Sequence, residues 1–248
     1  MKDRVDAELR DQQAGFRKDG SCIDQIATLW IIVEQSIEWN SPLYINFIDY
    51  EKASDSVDRT ALWKLLRNYG VPQKIVNTIQ NSCGGLHCKI VHGGQLTKSF
   101  EMKTVVRQGC LLSPFLFLLM IDWIMKTSTS EGKHGIQWTS RMRLDDLDFA
   151  DDLVFPSQSQ QQMQEKTTSV AAASASVGLN IHKGKSKILQ YNTACTNPIT
   201  IDGEDLEDVE TFTYLGSIID EHSGSDADVN VQIGKARAVY LQLKNVYN

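Results

Sequence analysis

The 248-residue sequence predicts an α+β domain, and three patterns of its side chains lead to that prediction. Several segments repeat apolar residues with the helical period, several short segments are rich in aliphatic and aromatic residues, and two of the short segments flank an acidic turn. Helical and strand-like segments are mixed along the whole chain. We therefore expect one mixed domain in which the acidic turn lies among antiparallel strands.

Composition and charge exclude several classes of protein. Hydrophobic residues make up 42% of the chain, enough for a core, which excludes a disordered or fibrous protein. The longest strongly apolar stretch, Phe115 to Ile121, is far shorter than the roughly 18 residues that a membrane-spanning helix needs. The N-terminus has no apolar secretion signal, and the five cysteines lack a Cys-x-x-Cys spacing. We expect an intracellular protein of the nucleus or cytoplasm, neither secreted nor bound to a membrane.

The first part of the chain predicts a helix, a strand and a second helix. Ser21 begins a capping box, and the apolar residues after it share one helical face. Leu43 to Ile48 is rich in aliphatic and aromatic residues and predicts a strand with Asp49 at its C-terminal end. The second helix is expected to start near Asp58 and to stop at Gly70.

The middle of the chain predicts a hairpin and a buried helix. Lys89 to Met102 is expected to form two short strands around a Gly-Gly turn. Ser113 is placed to be an N-cap, with Pro114 at the first helical position. Phe115 to Met125 is apolar on almost every side, which is typical of a buried helix.

The last part of the chain contains the acidic turn. Leu144 to Phe155 alternates apolar and acidic residues, which predicts two strands meeting at the bend Ala150-Asp151-Asp152. Met163 to Val177 predicts a helix, Ile199 to Ile219 is strand-like, and Gly234 to Asn248 suits an amphipathic helix.

Asp49, Asp151 and Asp152 are the candidates for chemistry. Two carboxylates about 4 Å apart repel by about 4 kcal/mol at an effective dielectric constant of about 20. A folded protein therefore keeps such a cluster with a cation or at a functional cost. Mg²⁺ takes oxygen ligands, and paired ions hold the attacking and leaving oxygens in phosphoryl transfer. A lone Asp-Asp pair is more often a solvated turn, so on these residues alone both interpretations stay open.

Three motifs occur in a fixed order: Asn46 to Asp58, Arg107 to Pro114, and Phe149-Ala150-Asp151-Asp152. In this order they resemble the motifs of reverse transcriptases, and more narrowly those of non-LTR (LINE-like) retrotransposons. Further matches extend the resemblance over nearly the whole chain: Gln13 to Arg17, Gly178 to Ile181, Lys185, and Tyr214 to Ser217.

The resemblance implies a catalytic site that uses two Mg²⁺ ions, with Mn²⁺ as an alternative. By position, Asp49, Asp151 and the backbone carbonyl of Tyr50 would ligate the ions, with Asp152 as a further carboxylate of the metal site. Lys185 would lie near the triphosphate and protonate the leaving pyrophosphate. Taken alone, Lys185 would be an ordinary surface lysine.

The resemblance also implies a nucleotide pocket. Gln108 and Gly109 would line it together with Tyr50 and Lys185, although they also suit an ordinary turn before a helix. Ser54 stands where the family usually carries a bulky aromatic residue that packs under the sugar. This departure predicts weak discrimination against ribonucleotides, or an inactivating lesion.

Contacts with nucleic acid are implied at two further places. Tyr214, Leu215 and Gly216 match the turn that grips the primer backbone, which without the other motifs would be a simple strand and turn. Arg17 would contact phosphate from the fingers. An exposed arginine near a helix start is an equally good interpretation of Arg17.

The fold implied by the resemblance is a right-hand polymerase palm, a split β-α-β antiparallel sheet backed by helices. The expected parts are partial fingers (1–41), the first part of the palm (42–68), a fingers-side insertion with a hairpin (69–106), the second part of the palm (107–220) and the start of a thumb (221–248). Upstream fingers strands, a complete thumb and an endonuclease are expected to be missing from the chain.

The predicted function is RNA-directed DNA polymerisation with an RNA template, a DNA primer and dNTPs, in an oligomeric state that the sequence leaves open. One alternative is an inactive nucleic-acid-binding remnant, favoured by Ser54 and by the net charge of −6. Another is a maturase or telomerase-like protein, which shares the core motifs. The contexts Phe149 to Asp152 and Phe16-Arg17 look more like those of a retrotransposon.

Overall fold

In a computed structural model of the chain, residues 7–53, 56–85, 87–101, 106, 110–129, 135–138, 143–195, 197–221 and 225–244 are described. The helices of these residues are α1 (Cys22–Glu38), α2 (Arg59–Asn68), α3 (Gln73–Cys83), α4 (Ser113–Ser128), α5 (Gln160–Ser176) and α6 (Ser225–Lys244). Within these residues, no helix has both the length and the apolar character needed to cross a bilayer.

A five-stranded sheet forms the centre of the fold, in the order β13-β10-β1-β9-β8. Its strands are β1 (Leu43–Ile48), β8 (Leu147–Phe149), β9 (Asp152–Ser157), β10 (Lys187–Tyr191) and β13 (Glu207–Asp208). All neighbours pair antiparallel except β10 and β13, which are parallel.

The remaining strands form two-stranded sheets. They pair β2 (His87–Cys88) with β5 (Phe100–Glu101), β3 (Val91–His92) with β4 (Gln95–Leu96), β6 (Ile136–Gln137) with β7 (Arg143–Leu144), β11 (Thr200–Ile201) with β12 (Glu204–Asp205), and β14 (Thr211–Tyr214) with β15 (Ser217–Asp220).

Both faces of strand β1 are covered, so all six of its residues are buried. Successive side chains of a strand point to opposite faces. Tyr44 and Ile48 pack in the core that contains α4 and α5, whereas Ile45 and Phe47 pack in a second core with α1 and the β14–β15 hairpin. This double burial explains why β1 appears in the sequence as an apolar run rather than an alternating one.

Most of the predicted elements are present. Strand β1 has the predicted bounds, and Asp58 caps α2 by accepting a hydrogen bond from the Ala61 N–H at 2.7 Å. Ser21 caps α1 by accepting from the Ile23 N–H at 3.1 Å. The acidic turn joins β8 to β9, as the alternation predicted.

One prediction about a helix start is wrong, and several elements were not predicted. Ser113 is the first residue of α4 rather than its N-cap, and Leu112 in the cap position makes no side-chain capping bond. Helix α3 and strand β10 were not predicted. The stability of β10 comes from its pairing with β1, and that pairing leaves little local trace in the sequence.

Candidate active site

The predicted carboxylates meet at one end of strands β1 and β9. In the antiparallel pairing of these strands, Ile48 faces Leu153. One further step along the same register sets Asp49 opposite Asp152, and Asp151 lies in the adjoining turn. Partial burial and the charges of Asp151 and Asp49 raise the pKa of Asp152 to about 6. The structure therefore brings together aspartates that lie about a hundred residues apart in the chain.

The backbone of Tyr50 is oriented by its bridge to the segment around Ile181. Tyr50 and Ile181 form an antiparallel bridge, flanked by hydrogen bonds from the Glu51 N–H to Asn180 and from the His182 N–H to the Asp49 carbonyl. In this type of pair the backbone groups of the central residue point away from the partner. The Tyr50 carbonyl therefore points towards the side of β1 on which β9 and the aspartates lie.

The Tyr50 side chain has a structural task of its own. Its ring is buried, and its hydroxyl is hydrogen-bonded to Ser174 Oγ at 2.9 Å. Burial raises the pKa of the Tyr50 hydroxyl. The phenol therefore anchors the residue in the core, and only the backbone of Tyr50 is left for the site.

The donor set fits a divalent cation that is shared with a phosphate substrate. Within the part of the chain that the structure describes, no three His, Cys, Asp or Glu side chains are placed to hold a metal ion by themselves. In phosphoryl-transfer sites Mg²⁺ is usually bound by one or two carboxylates together with substrate phosphates. Burial, and next the charges of Asp151 and Asp49, raise the pKa of Asp152, and a bound cation would relieve the repulsion between these carboxylates.

A loop from Asn180 to Ser186 lies beside the residues that follow β1. The Glu51 N–H donates to the Asn180 carbonyl, and the His182 N–H donates to the Asp49 carbonyl, both at 2.8 Å. The Asp49 N–H in turn donates to Ser186 Oγ at 3.1 Å. The backbone of Asp49 is therefore fixed on both of its polar groups by this loop.

Lys185 belongs to this loop and is exposed. The two nearby lysines form ion pairs: Lys183 Nζ lies 2.8 Å from Glu204 Oε1, and Lys187 Nζ lies 2.5 Å from Glu207 Oε2. No ion pair of Lys185 is found among the described side chains. Of these three lysines, Lys185 is the one whose charge is available for a phosphate.

The predicted primer-grip residues form the turn of the β14–β15 hairpin. Tyr214 pairs with Ser217, and the two residues between them, Leu215 and Gly216, have φ angles of 48° and 89°. Positive φ at both central positions is the geometry of a tight type I′ hairpin turn. Burial and the charges of Asp148 and Asp152 raise the pKa of Tyr214. The hairpin thus lies within electrostatic range of the carboxylates.

The remaining predicted site residues have different outcomes. Ser54, Gln108 and Gly109 lie outside the described residues. Arg17 Nη1 donates to the carbonyls of Arg10 and Gln13, at 2.8 and 3.2 Å. These bonds give Arg17 a structural task in its own loop.

A buried cluster of charges beside the turn was not predicted. Asp146 and Asp148 are fully buried, and both form ion pairs with Arg10. Burial, and next the charge of Asp146, raise the pKa of Asp148 to about 7. The sequence signal was the crowding of acidic residues into a strand-like segment, because buried carboxylates require partners.

A family model described as reverse transcriptase (RNA-dependent DNA polymerase) matches residues 1–219. The chain belongs to the reverse transcriptase family, which confirms the resemblance seen in its motifs. Its fold is similar to that of apo telomerase from Candida tropicalis truncated from its C-terminal domain. The TM-score is 0.62 at 14% identity, with 90% of this chain and 43% of that one covered. This likeness confirms the predicted polymerase-palm fold.

Two curated relatives are similar in sequence. One is the retrovirus-related Pol polyprotein from the type-2 retrotransposable element R2DM of Drosophila melanogaster, 29% identical over 70% of this chain. The other is the retrovirus-related Pol polyprotein from the type-1 retrotransposable element R2 of Popillia japonica, 26% identical over 68% of this chain. The chain spans 16% and 29% of the lengths of these two relatives.

Proposed function

We propose that this chain is the reverse transcriptase core of a non-LTR retrotransposon and extends a DNA primer on an RNA template. The observation that carries the proposal is the register that sets Asp49 opposite Asp152, with Asp151 in the next turn. The family model and the names of the relatives, which are Pol polyproteins of retrotransposable elements, support it.

In this proposal the end of β1 and the β8–β9 turn hold two Mg²⁺ ions. Asp49, Asp151 and the Tyr50 carbonyl are the ligands, and Asp152 adds a carboxylate to the same edge. Bound Mg²⁺ supplies the positive charge that activates the primer 3′-hydroxyl and stabilises the triphosphate. The hydrogen bonds of Asp49 to the loop ending at Ser186 keep its backbone from moving during the reaction.

The bond changes of nucleotide addition define a role for Lys185. The primer 3′-oxygen bonds to the α-phosphorus, the bond from that phosphorus to the bridging oxygen breaks, and the 3′-hydroxyl proton passes to solvent. The departing pyrophosphate gains negative charge, and Lys185 neutralises it by donating a proton. Among the side chains that the structure describes, Lys183 and Lys187 form ion pairs and Lys185 forms none, which supports this role.

The substrates are gripped by shape rather than by sequence. In this proposal Tyr214, Leu215 and Gly216 hold the primer backbone, Gln108 and Gly109 would line the nucleotide pocket, and Arg17 would contact phosphate from the fingers. An A-form RNA–DNA hybrid offers sugars and phosphates rather than a readable major groove, so pairing with the template supplies the specificity.

Primer extension tests the proposal. Purified protein is incubated with an RNA template, an annealed DNA primer, dNTPs and Mg²⁺, beside the variants Asp151→Asn and Asp205→Asn. Asp205 is an exposed aspartate on β12 and serves as the matched control. We expect extension by the parent and by Asp205→Asn, and a loss of roughly a hundredfold or more in Asp151→Asn, because a metal ligand contributes several kcal/mol.

The inactive remnant is the second candidate, and the serine at position 54 favours it. A remnant would bind the primer–template but would not extend it, under conditions in which a full-length relative is active. In that case Asp151→Asn would change nothing, and the catalytic proposal would be wrong.

A further inference from the structure

The segment Gln12 to Gly15 lies beside β8 and is joined to it by a single isolated bridge. Gln13 and Asp148 form a parallel bridge, and the Ala14 N–H donates to the Asp148 carbonyl at 2.9 Å. The family match covers this segment. One of them, Gln13, is almost completely buried, with 1% of its surface exposed.

The carboxamide of Gln13 binds both backbone polar groups of Ala150. Its Oε1 accepts from the Ala150 N–H at 2.8 Å, and its Nε2 donates to the Ala150 carbonyl at 3.3 Å. The same Oε1 also accepts from the Gly15 N–H at 2.7 Å. A glutamine amide is one of the few side chains that offers both an acceptor and a donor for such a pair of groups.

Ala150 needs this support because its backbone is in the left-handed region, with φ of 59°. For a residue with a Cβ, this conformation costs about 1–2 kcal/mol. Such a conformation persists where the surrounding structure enforces it. Ala150 directly precedes Asp151, so its backbone angles set the direction in which that carboxylate leaves the turn.

The contact between the two segments is also sterically close. A Cβ added to Gly15 would lie 2.3 Å from the Ala150 nitrogen, which no packing could accommodate without moving the turn. Glycine at this position lets the two backbones approach. The segment therefore fixes the turn both by hydrogen bonds and by contact.

We propose that Gln13 is a positioning residue for Asp151: its carboxamide holds Ala150 in the left-handed conformation and so aims the adjacent carboxylate at the metal site. The inference rests on the proposed function, since it assigns Asp151 to metal binding. Gln13 acts through Ala150, because its carboxamide is bonded to the backbone of Ala150 and Gly15.

The fold contains a matched control. Gln164 of α5 makes the same kind of paired contact with another residue: its Oε1 accepts from the Thr200 N–H and its Nε2 donates to the Thr200 carbonyl, both at 2.8 Å. This pair joins α5 to β11. Gln164→Met therefore removes an equivalent pair of hydrogen bonds that does not involve the β8–β9 turn.

The test compares Gln13→Met with Gln164→Met by the half-saturating Mg²⁺ concentration in primer extension. We expect Gln13→Met to raise this concentration fivefold or more and to lower the maximal rate at least tenfold, while Gln164→Met stays within twofold of the parent for both. A purely structural role would reduce the fraction of active protein without changing the Mg²⁺ requirement. An unchanged Mg²⁺ requirement in folded Gln13→Met would overturn the proposal.

A further variant and a measurement that does not depend on catalysis keep the test decisive. If Gln13→Met does not fold, Gln13→Glu replaces it, because this variant keeps the acceptor for the Ala150 N–H and loses the donor to its carbonyl. A rise of twofold or more in its Mg²⁺ requirement supports the proposal, and an unchanged value contradicts it.

The second measurement needs no catalysis. Hydrogen exchange at the Ala150 amide and Mn²⁺ binding followed by electron paramagnetic resonance are recorded for the same variants. Ten times faster exchange and weaker Mn²⁺ binding in Gln13→Met, with neither in Gln164→Met, support the positioning role even if the parent does not extend primers. A parent that binds no Mn²⁺ would overturn the metal site, and faster exchange would then show only that Gln13 holds the turn.

Discussion

The ring of Phe47 stacks on the ring of Phe212, with 4.0 Å between the ring centroids and 17° between the ring planes. Phe47 lies on β1 two residues before Asp49, and Phe212 lies on β14 two residues before Tyr214. The stack therefore joins the strand that leads to the carboxylates to the hairpin proposed as the primer grip.

Removal of the Phe212 ring should weaken primer binding. Phe212→Ala is expected to lower the free energy of unfolding by roughly 1–3 kcal/mol, less than for a fully buried phenylalanine because Phe212 is half-buried. It should also raise the half-saturating primer–template concentration several-fold. Urea unfolding and primer-extension titrations measure the two effects. Phe100→Ala, at an exposed phenylalanine, should change stability by no more than about 0.5 kcal/mol. Unaltered primer binding in folded Phe212→Ala would contradict the link.

The raised pKa of Asp152, about 6, predicts that the stability of the metal-free protein depends on pH. The folded protein holds this proton more tightly than the unfolded chain, in which an aspartate has a pKa of about 3.9. The contribution of Asp152 to stability is therefore fully present below about pH 4 and is lost as the pH rises through 6. Urea unfolding between pH 4 and 7 should show this trend in the parent and a weaker one in Asp152→Asn. Equal slopes would contradict the assignment.

Metal binding should depend on pH in the opposite direction. A proton on Asp152 competes with a cation at the same edge, so Mn²⁺ affinity should fall as the pH drops below about 6. Titrations of Mn²⁺ at several pH values measure this effect. Asp205→Asn should keep the parent's pH dependence, and Asp152→Asn should reduce it; a parent affinity that does not vary with pH would count against this prediction.

Removal of Arg10 should strongly destabilise the protein. Its guanidinium donates to Asp146 Oδ2 at 2.6 Å and forms an ion pair with Asp148, and both carboxylates are fully buried. Arg10→Met leaves them without this cation, which should cost about 3–5 kcal/mol of unfolding free energy. Arg67→Met, whose side chain contacts Gln73 at the surface, should change it by about 0.5 kcal/mol at most.

A double-mutant cycle tests whether the effect comes from the ion pair. Asp148→Asn added to Arg10→Met should recover part of the loss, because one buried negative charge is removed. We expect a coupling energy above about 1 kcal/mol in urea unfolding. Additive effects of the two changes would show that the pair between Arg10 and Asp148 does not account for the loss.

Two neighbouring lysines should differ in their effect on catalysis. Lys185→Ala should lower the rate of nucleotide addition roughly a hundredfold, the usual contribution of a general acid. Lys183→Ala breaks an exposed ion pair with Glu204 and should leave the rate within twofold. Single-turnover extension gives both rates. If the two variants were equally active, Lys185 would have no role in the chemical step.

Position 54 should control the choice of sugar. A serine is too small to pack beneath the sugar, so Ser54→Phe is expected to raise the preference for dNTPs over rNTPs, or to restore activity if the parent is inactive. Competitive incorporation of dNTPs and rNTPs on one template measures the ratio. If both dNTP incorporation and the ratio stay the same, Ser54 is not a determinant of selectivity.

Elements with a strong local pattern could be predicted from the sequence, whereas elements that depend on distant partners could not. Strand β1 and the caps of α1 and α2 follow from apolar runs and from Ser21 and Asp58, which act within a few residues. Strand β10 was missed because its stability comes from pairing with β1, from which it is separated by more than a hundred residues. Asp146 and Asp148 lie in a segment in which apolar and acidic residues alternate. Their burial was not predicted, because it depends on ion pairs with the distant Arg10.

By itself, the sequence determined the family, the strand that ends at Asp49 and the turn that carries Asp151 and Asp152, because these features are written in short contiguous motifs. Only the tertiary structure decided that Asp49 faces Asp152, that Gln13 holds Ala150, and that Phe47 stacks on Phe212. Each of these contacts joins residues more than a hundred positions apart. Such contacts form only when burial of the two cores brings the β1 sheet, its helices and the β14–β15 hairpin together.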